Sequence, residues 1–372
     1  MTLSWRVFFL LLFLYRCALS ILAQASMSSN LGDSGIYQAG GRPGSSGLLE
    51  MAQAGGTVGA SGFRHLGTGL TESIGGLFGA VAGGNPYVTN IGFQTLAFVG
   101  LVRLLMSVEP RLRRCLALVL VLPSFNLWTS VASKEALVAA TLGMVLAAFA
   151  RLQTARRVNR AALVFFAIVL AMLKPHYFVA VLYLFAATLT TNRVKQRAAM
   201  ALALGLASLS LLFLAADYLD EQARIVASHF RVGARTLTRE MYFVDTYDVF
   251  LKAPYGMFQS FFGPTISEAM LGPLQMVSFV ESIFLVAVLV LLAAHRLMDL
   301  RVHETVIGGF TLFWILFASY PFGIMNPGSA VRYRAGYVVL VAFVVIFIFV
   351  RGLHEGDRER RRGHLAAATI VQ

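Results

Sequence analysis

Three short polar tips interrupt otherwise apolar stretches, and each carries cations that could receive an anion. The first ends on Lys134 and Glu135, after Pro123-Ser-Phe-Asn-Leu-Trp-Thr-Ser-Val-Ala-Ser133. The second is Lys174-Pro175-His176. The third runs from Asn326 to Arg334 and sets Arg332 and Arg334 two apart around Tyr333. A guanidinium fork matches phosphate or diphosphate bidentately, whereas lysine offers a compact point charge. Glycine at 328, beside Pro327, would let backbone approach such a ligand closely. The bland alternatives are a Lys134–Glu135 pair that caps a helix and snorkels, and an Arg-Tyr belt that meets lipid headgroups.

Groups able to move a proton are few. Asp33 follows the first apolar segment, His176 sits at the second tip, and Glu281 lies inside an apolar stretch. A carboxylate at that depth is by default a functional candidate, although pairing with an arginine would also explain it. The chain has no phosphate-binding Gly-x-x-x-x-Gly-Lys-Ser/Thr loop, no His-x-x-x-His spacing and no Gly-x-Ser-x-Gly elbow. That pattern speaks against ATP-driven work and zinc hydrolysis, and no metal ligand set is expected. Cys17 and Cys115 both lie in apolar segments and suggest neither a disulfide framework nor a metal site.

The elements that must position these tips are apolar. Of 372 residues, 58% are hydrophobic and 13% charged, about half the charged share of a soluble domain. The reading is an all-α polytopic membrane protein with about ten segments: 5–25, 90–107, 115–128, 136–150, 161–173, 177–190, 198–217, 274–294, 305–322 and 336–350. The net charge of +13 is scattered in short clusters between segments, which sets orientation and gives no nucleic-acid patch. Those clusters fall on one side if both termini are cytoplasmic. Residues 1–350 then form a single transmembrane domain, with outer loops at about 26–88 and 218–273 and a basic cytoplasmic tail at 351–372.

Ala23-Gln24-Ala25 resembles a signal-peptide cleavage site, yet Arg16 interrupts the segment before it, so a retained first helix is expected. The stretch Phe63 to Val81 could dip into the bilayer if protein covers it, and Tyr247 to Phe262 reads as an interfacial amphipathic segment. Two hairpins, Arg114 to Arg151 and Arg160 to Arg193, have arms too short for comfortable spans. Their polar tips should therefore sit at or below the outer interface, inside a cavity. Arg351, Arg358, Arg360, Arg361 and Arg362 read as orientation charges that can be removed singly with little effect.

Leu122-Pro-Ser-Phe-Asn-Leu-Trp-Thr-Ser-Val-Ala-Ser-Lys-Glu-Ala136, Leu173-Lys-Pro-His176, Pro254-Tyr-Gly256 with Phe261-Phe-Gly-Pro264, Glu281 and Asn326–Arg334 occur in that order. Over about residues 30 to 340 the chain resembles bacterial multispan proteins of exopolysaccharide and O-antigen assembly. Their broader relatives are the oligosaccharide-repeat polymerases and the GT-C membrane glycosyltransferases. The resemblance implies transfer or polymerisation of sugars from a polyprenyl (di)phosphate carrier, on the periplasmic side of the bacterial inner membrane. It implies Asp33, by its place in the first outer loop, or His176 as catalytic base. Arg332 and Arg334, with Lys174 and Lys134, would hold the diphosphate, and Glu135, Tyr333 and Asn326 would complete the substrate-binding set. No cofactor is implied beyond a divalent ion that the diphosphate could carry. The implied partners are the lipid-linked glycan, the bilayer and other polysaccharide-assembly proteins. Lys174 stands where the group is expected to carry Arg before Pro-His, which keeps the charge and loses the fork. Arg332→Ala and Arg334→Ala are each expected to abolish long-chain product while leaving insertion intact. A transporter or flippase for lipid-linked sugars or another anionic solute would use the same cations without chemistry.

Overall fold

The computed structural model describes residues 3–27, 34–39, 60–154, 156–189, 194–232, 239–294 and 300–351. All regular structure among them is helical, as the apolar segments predict: α1 (Leu3–Met27), α2 (Ser34–Ala39), α3 (Ala60–Val81), α4 (Pro86–Ser107), α5 (Pro110–Leu120), α6 (Pro123–Trp128), α7 (Lys134–Gln153), α8 (Arg160–Leu173) and α9 (Pro175–Leu189) come first. They are followed by α10 (Val194–Leu214), α11 (Ala216–Val232), α12 (Asp248–Leu251), α13 (Ala253–Phe262), α14 (Ile266–Ala269), α15 (Pro273–Ala294), α16 (Val302–Gly323) and α17 (Pro327–Val344), which continues as a π-helical turn, Val345–Arg351. Among the described residues, 7 helices are long and apolar enough to cross a membrane, and α8 and α9 are shorter apolar helices. The chain is an all-α, multi-pass membrane protein.

The chain divides into two compact units, one formed by 1–151 and 157–178, the other by 152–156 and 179–372. In the first, helix ends follow local chemistry. Asn85 accepts the Tyr87 N–H at 2.9 Å ahead of Pro86, which needs no N–H partner at the start of α4. Pro123 stops α5 and restarts the chain as α6. The Ser133 hydroxyl accepts the Ala136 N–H at 3.1 Å and donates to the Trp128 carbonyl at 2.8 Å, which starts α7 at Lys134. This helix is 20 residues long, so the return arm of the first hairpin is a full span. Lys134 and Glu135 belong to its first turn, which lengthens it beyond the apolar run alone. The second hairpin keeps short arms of 14 and 15 residues.

Between apolar helices in a bilayer, close van der Waals packing replaces the hydrophobic drive. Gly100 of α4 and Gly143 of α7 meet on that principle. A Cβ on Gly143 would lie 2.5 Å from the Gly100 carbonyl oxygen, and one on Gly100 would lie 2.3 Å from that of Ala140. The glycine-rich stretch at 26–88 is not all loop, since it contains α2 and α3. α3 packs against α2, α4 and α8, so other helices cover part of the stretch Phe63 to Val81.

In the second unit α16 is the central helix and packs against α10, α11, α13 and α17. The stretch 218–273 is built onto it as α11 to α14. Phe243, Val249, Ala253, Phe317, Tyr320 and Ile324 form a buried core there, and the Tyr320 hydroxyl donates to the Val249 carbonyl. Along α12 and α13, Leu251, Tyr255 and Phe258 are exposed while Val249, Ala253 and Phe261 are buried. That two-faced pattern is the one expected of an interfacial segment.

Candidate functional site

In the first unit Lys134 of the first tip and the end of α8, just before the second tip, meet the same turn of α3. The Lys134 ammonium donates to the Thr68 hydroxyl at 2.5 Å. One residue earlier, Gly67 lies against the end of α8, where a Cβ would stand 2.7 Å from the Met172 carbonyl oxygen and 3.2 Å from the Leu173 Cα. Lys174 follows directly, and its N–H donates to the Leu170 carbonyl at 2.8 Å to close α8. The Lys174 side chain is buried and its ammonium stands 5.9 Å from the centre of the Tyr177 ring. The His176 imidazole meets the same ring edge-on, with centroids 4.5 Å apart. Glu135 is buried in the first turn of α7, where the helix dipole favours a carboxylate. Lys134 at the start of α7 and the end of α8, which Lys174 follows in the chain, thus meet neighbouring residues of α3, Thr68 and Gly67. Chemically, the two tips offer two point charges for a phosphate and two groups able to take a proton.

The third tip, in the second unit, is built differently. Asn326 is buried and its Oδ1 accepts the Ser329 N–H at 2.6 Å, capping α17. Its amide oxygen is occupied by that cap. Arg332, Tyr333 and Arg334 lie within α17 and not on an extended tip, so the two arginines leave the helix about 200° apart. Arg334 is 3% exposed. Its guanidinium donates to Ser282 Oγ at 2.5 Å and to the carbonyls of Phe261 at 3.1 Å and Gly263 at 3.4 Å. Glu281 Oε2 stands 3.9 Å from Nη2. Arg334 and Glu281 therefore form a buried charge pair that ties α17 to α13 and α15. Arg332 is half-buried, with its guanidinium 6.0 Å from the Tyr333 ring centre, and Tyr333 stacks on Phe322 at 5.2 Å. Asp33 lies outside the described residues, as do Arg358, Arg360, Arg361 and Arg362. Arg351 is described and is no free orientation charge. It is buried and lies over Phe347 at 4.8 Å.

Three further polar features were not singled out by the sequence. Thr68 and Gly67 could have been found from the small-residue spacing Gly67-Thr71-Gly75. Arg239 forks onto Glu268 at 2.5 and 2.8 Å and donates to the Gly323 and Ile324 carbonyls at 3.2 and 3.1 Å. Burial alone would raise the Glu268 carboxyl, but the Arg239 fork and the Thr265 N–H outweigh it and hold the group below its ordinary value. The third feature is the bonding of Arg16 inside α1, which nothing in the local pattern signals. Among the described residues no group of three or more His, Cys, Asp or Glu could hold a metal ion. No protein-family model, curated protein or solved structure matches the chain.

Proposed function

We propose that the protein is a membrane-embedded glycan-assembly enzyme. It transfers or polymerises sugars from a polyprenyl (di)phosphate carrier on the periplasmic side of the inner membrane, in exopolysaccharide, O-antigen or capsule synthesis. The observation that carries this reading is that Lys134 bonds Thr68 while the end of α8, which Lys174 follows, packs on the neighbouring Gly67. Both termini would be cytoplasmic, which puts the tips outside.

In this reading the diphosphate lies against Lys134 and Lys174, and the lipid tail runs between apolar helices. The acceptor hydroxyl oxygen attacks the anomeric carbon and forms the new glycosidic bond. The bond from that carbon to the diphosphate oxygen breaks, and the oxygen leaves with the electron pair as charge the lysines stabilise. His176 takes the proton of the acceptor hydroxyl, and Asp33 is the other candidate for that role. A divalent ion on the diphosphate is compatible with this scheme. Arg332 is a further cation that the substrate could use within its own unit. Arg334 and Asn326 support α17 instead.

The test is polysaccharide length on a gel from a deletion strain, complemented with wild type or with Lys174→Gln. Single lipid-linked repeat units in the deletion, with long chains restored by wild type alone, are the expected result. Absence of any lipid-linked unit would move the reaction to an earlier transfer. Complete glycan retained inside the cell would identify a transporter or flippase and overturn the enzymatic reading.

A further inference from the structure

Against the first tip, α1 carries Arg16, Ser20 and Gln24 at successive turns of one face. Asn90 and Gln94 of α4 and the stretch from Asn126 to Ala132 join them in a polar seam. Its outer part is fully bonded. Gln24 Oε1 accepts from Asn90 Nδ2 at 3.0 Å and from Gln38 Nε2 at 2.8 Å. Asn90 Oδ1 accepts from Gln38 Nε2 at 2.9 Å and from the Ala132 N–H at 2.8 Å.

The inner part is not. Arg16 donates to Asn126 Oδ1 and to the Thr129 carbonyl, each at 2.7 Å, and both acceptors are neutral. No carboxylate pairs with it among the described residues. Its Nε–H has no acceptor, and Ser20 Oγ, Ser130 Oγ and Gln94 Oε1 also lack partners. None of these four residues is more than 1% exposed. The chain keeps them close. Ser20 is one turn from Arg16, and Gln94 Nε2 bonds the Phe13 carbonyl at 3.2 Å and Cys17 Sγ at 3.5 Å, on either side of Arg16. Ser130 follows Thr129, whose carbonyl takes the guanidinium.

Buried polar atoms without partners call for an occupant, and a buried guanidinium inside a span calls for a counter-charge. Three of the four unpartnered groups can donate. We propose that this inner seam binds a small inorganic monovalent anion of halide size, to which Arg16 Nε–H and the Ser20 and Ser130 hydroxyls donate. Complete burial excludes a lipid phosphate, so the site is separate from the one proposed for the carrier diphosphate at Lys134 and Lys174. A water beside the anion would serve Gln94 Oε1.

The test is the thermal unfolding midpoint of the full chain in detergent, with sodium gluconate exchanged for chloride or bromide at constant ionic strength. An anion that binds only the folded state raises the midpoint progressively. We expect that rise in wild type and in Arg103→Gln, whose side chain is exposed, and its loss in Arg16→Gln. Ser130→Ala should move the half-effect concentration up by roughly tenfold, the value of one hydrogen bond to a charged group. A wild-type midpoint equal in chloride and gluconate would overturn the proposal and leave water as the occupant. The same dependence persisting in Arg16→Gln would also overturn it. Should Arg16→Gln fail to fold, an unchanged half-effect in Ser130→Ala decides against it.

Discussion

Lys134 and Lys174 at the first two tips and Arg334 at the third are held in different ways. The Lys134 ammonium donates to the Thr68 hydroxyl, and the Lys174 ammonium stands beside the Tyr177 ring. Arg334 is engaged by a hydroxyl, two carbonyls and a carboxylate. A guanidinium engaged by its own protein on this many sides has little left for a ligand. The difference teaches that a paired-arginine motif, the more persuasive diphosphate clamp on paper, serves the fold through Arg334. In the proposed function the ligand is therefore assigned to the lysine tips.

Substitutions can break that comparison in a definite order. Arg334→Ala strands Glu281 in a buried site, and loss of one partner of such a pair costs about 3–5 kcal/mol. We therefore expect low yields of folded protein in detergent, not the well-inserted but inactive protein that a ligand-binding arginine would leave. Lys174→Gln and Lys134→Gln should insert and fold normally yet cut long-chain product by roughly 10–100-fold each, the value of a charge-assisted contact. Arginine at 174 should retain most of the product. Gly67→Val would drive a side chain into the Met172 carbonyl, and overpacking of this kind costs about 1–3 kcal/mol. It should lower the melting temperature and the product together, because α3 supports both lysine tips. Arg351→Ala should cost about 1 kcal/mol through its lost stacking on Phe347, readable as a small fall in melting temperature.

The smallest effect concerns acid. Because the folded Glu268 carboxyl sits below its ordinary value, its contribution is complete above the unfolded value, about 4.3. It is lost as pH falls through the folded one. Melting temperature should drop over that acidic window in wild type, and less steeply in Arg239→Gln.

Much of this was legible in the sequence. Apolar run lengths identify the spans, and Pro123, Pro175 and Asn326 mark where helices break or begin. Glycine content made 26–88 read as loop, because in water a helical glycine costs stability. Inside a packed membrane bundle the same residues permit close helix contact, so α3 was hidden. Arg334 could not be read as a structural residue from its neighbours, since its partners lie at 261, 263, 281 and 282. The Arg239–Glu268 fork, too, joins residues that no local pattern links. Arg16 showed itself only as an interruption of an apolar run.

The most direct measurement is binding of a prenyl diphosphate by the purified full chain, read as the shift in melting temperature on adding farnesyl diphosphate. Wild type and Arg103→Gln should be stabilised to the same degree, and the double variant Lys134→Gln/Lys174→Gln, folded by circular dichroism, should show no shift. An undiminished shift in the double variant would contradict the assignment of the diphosphate to the lysine tips.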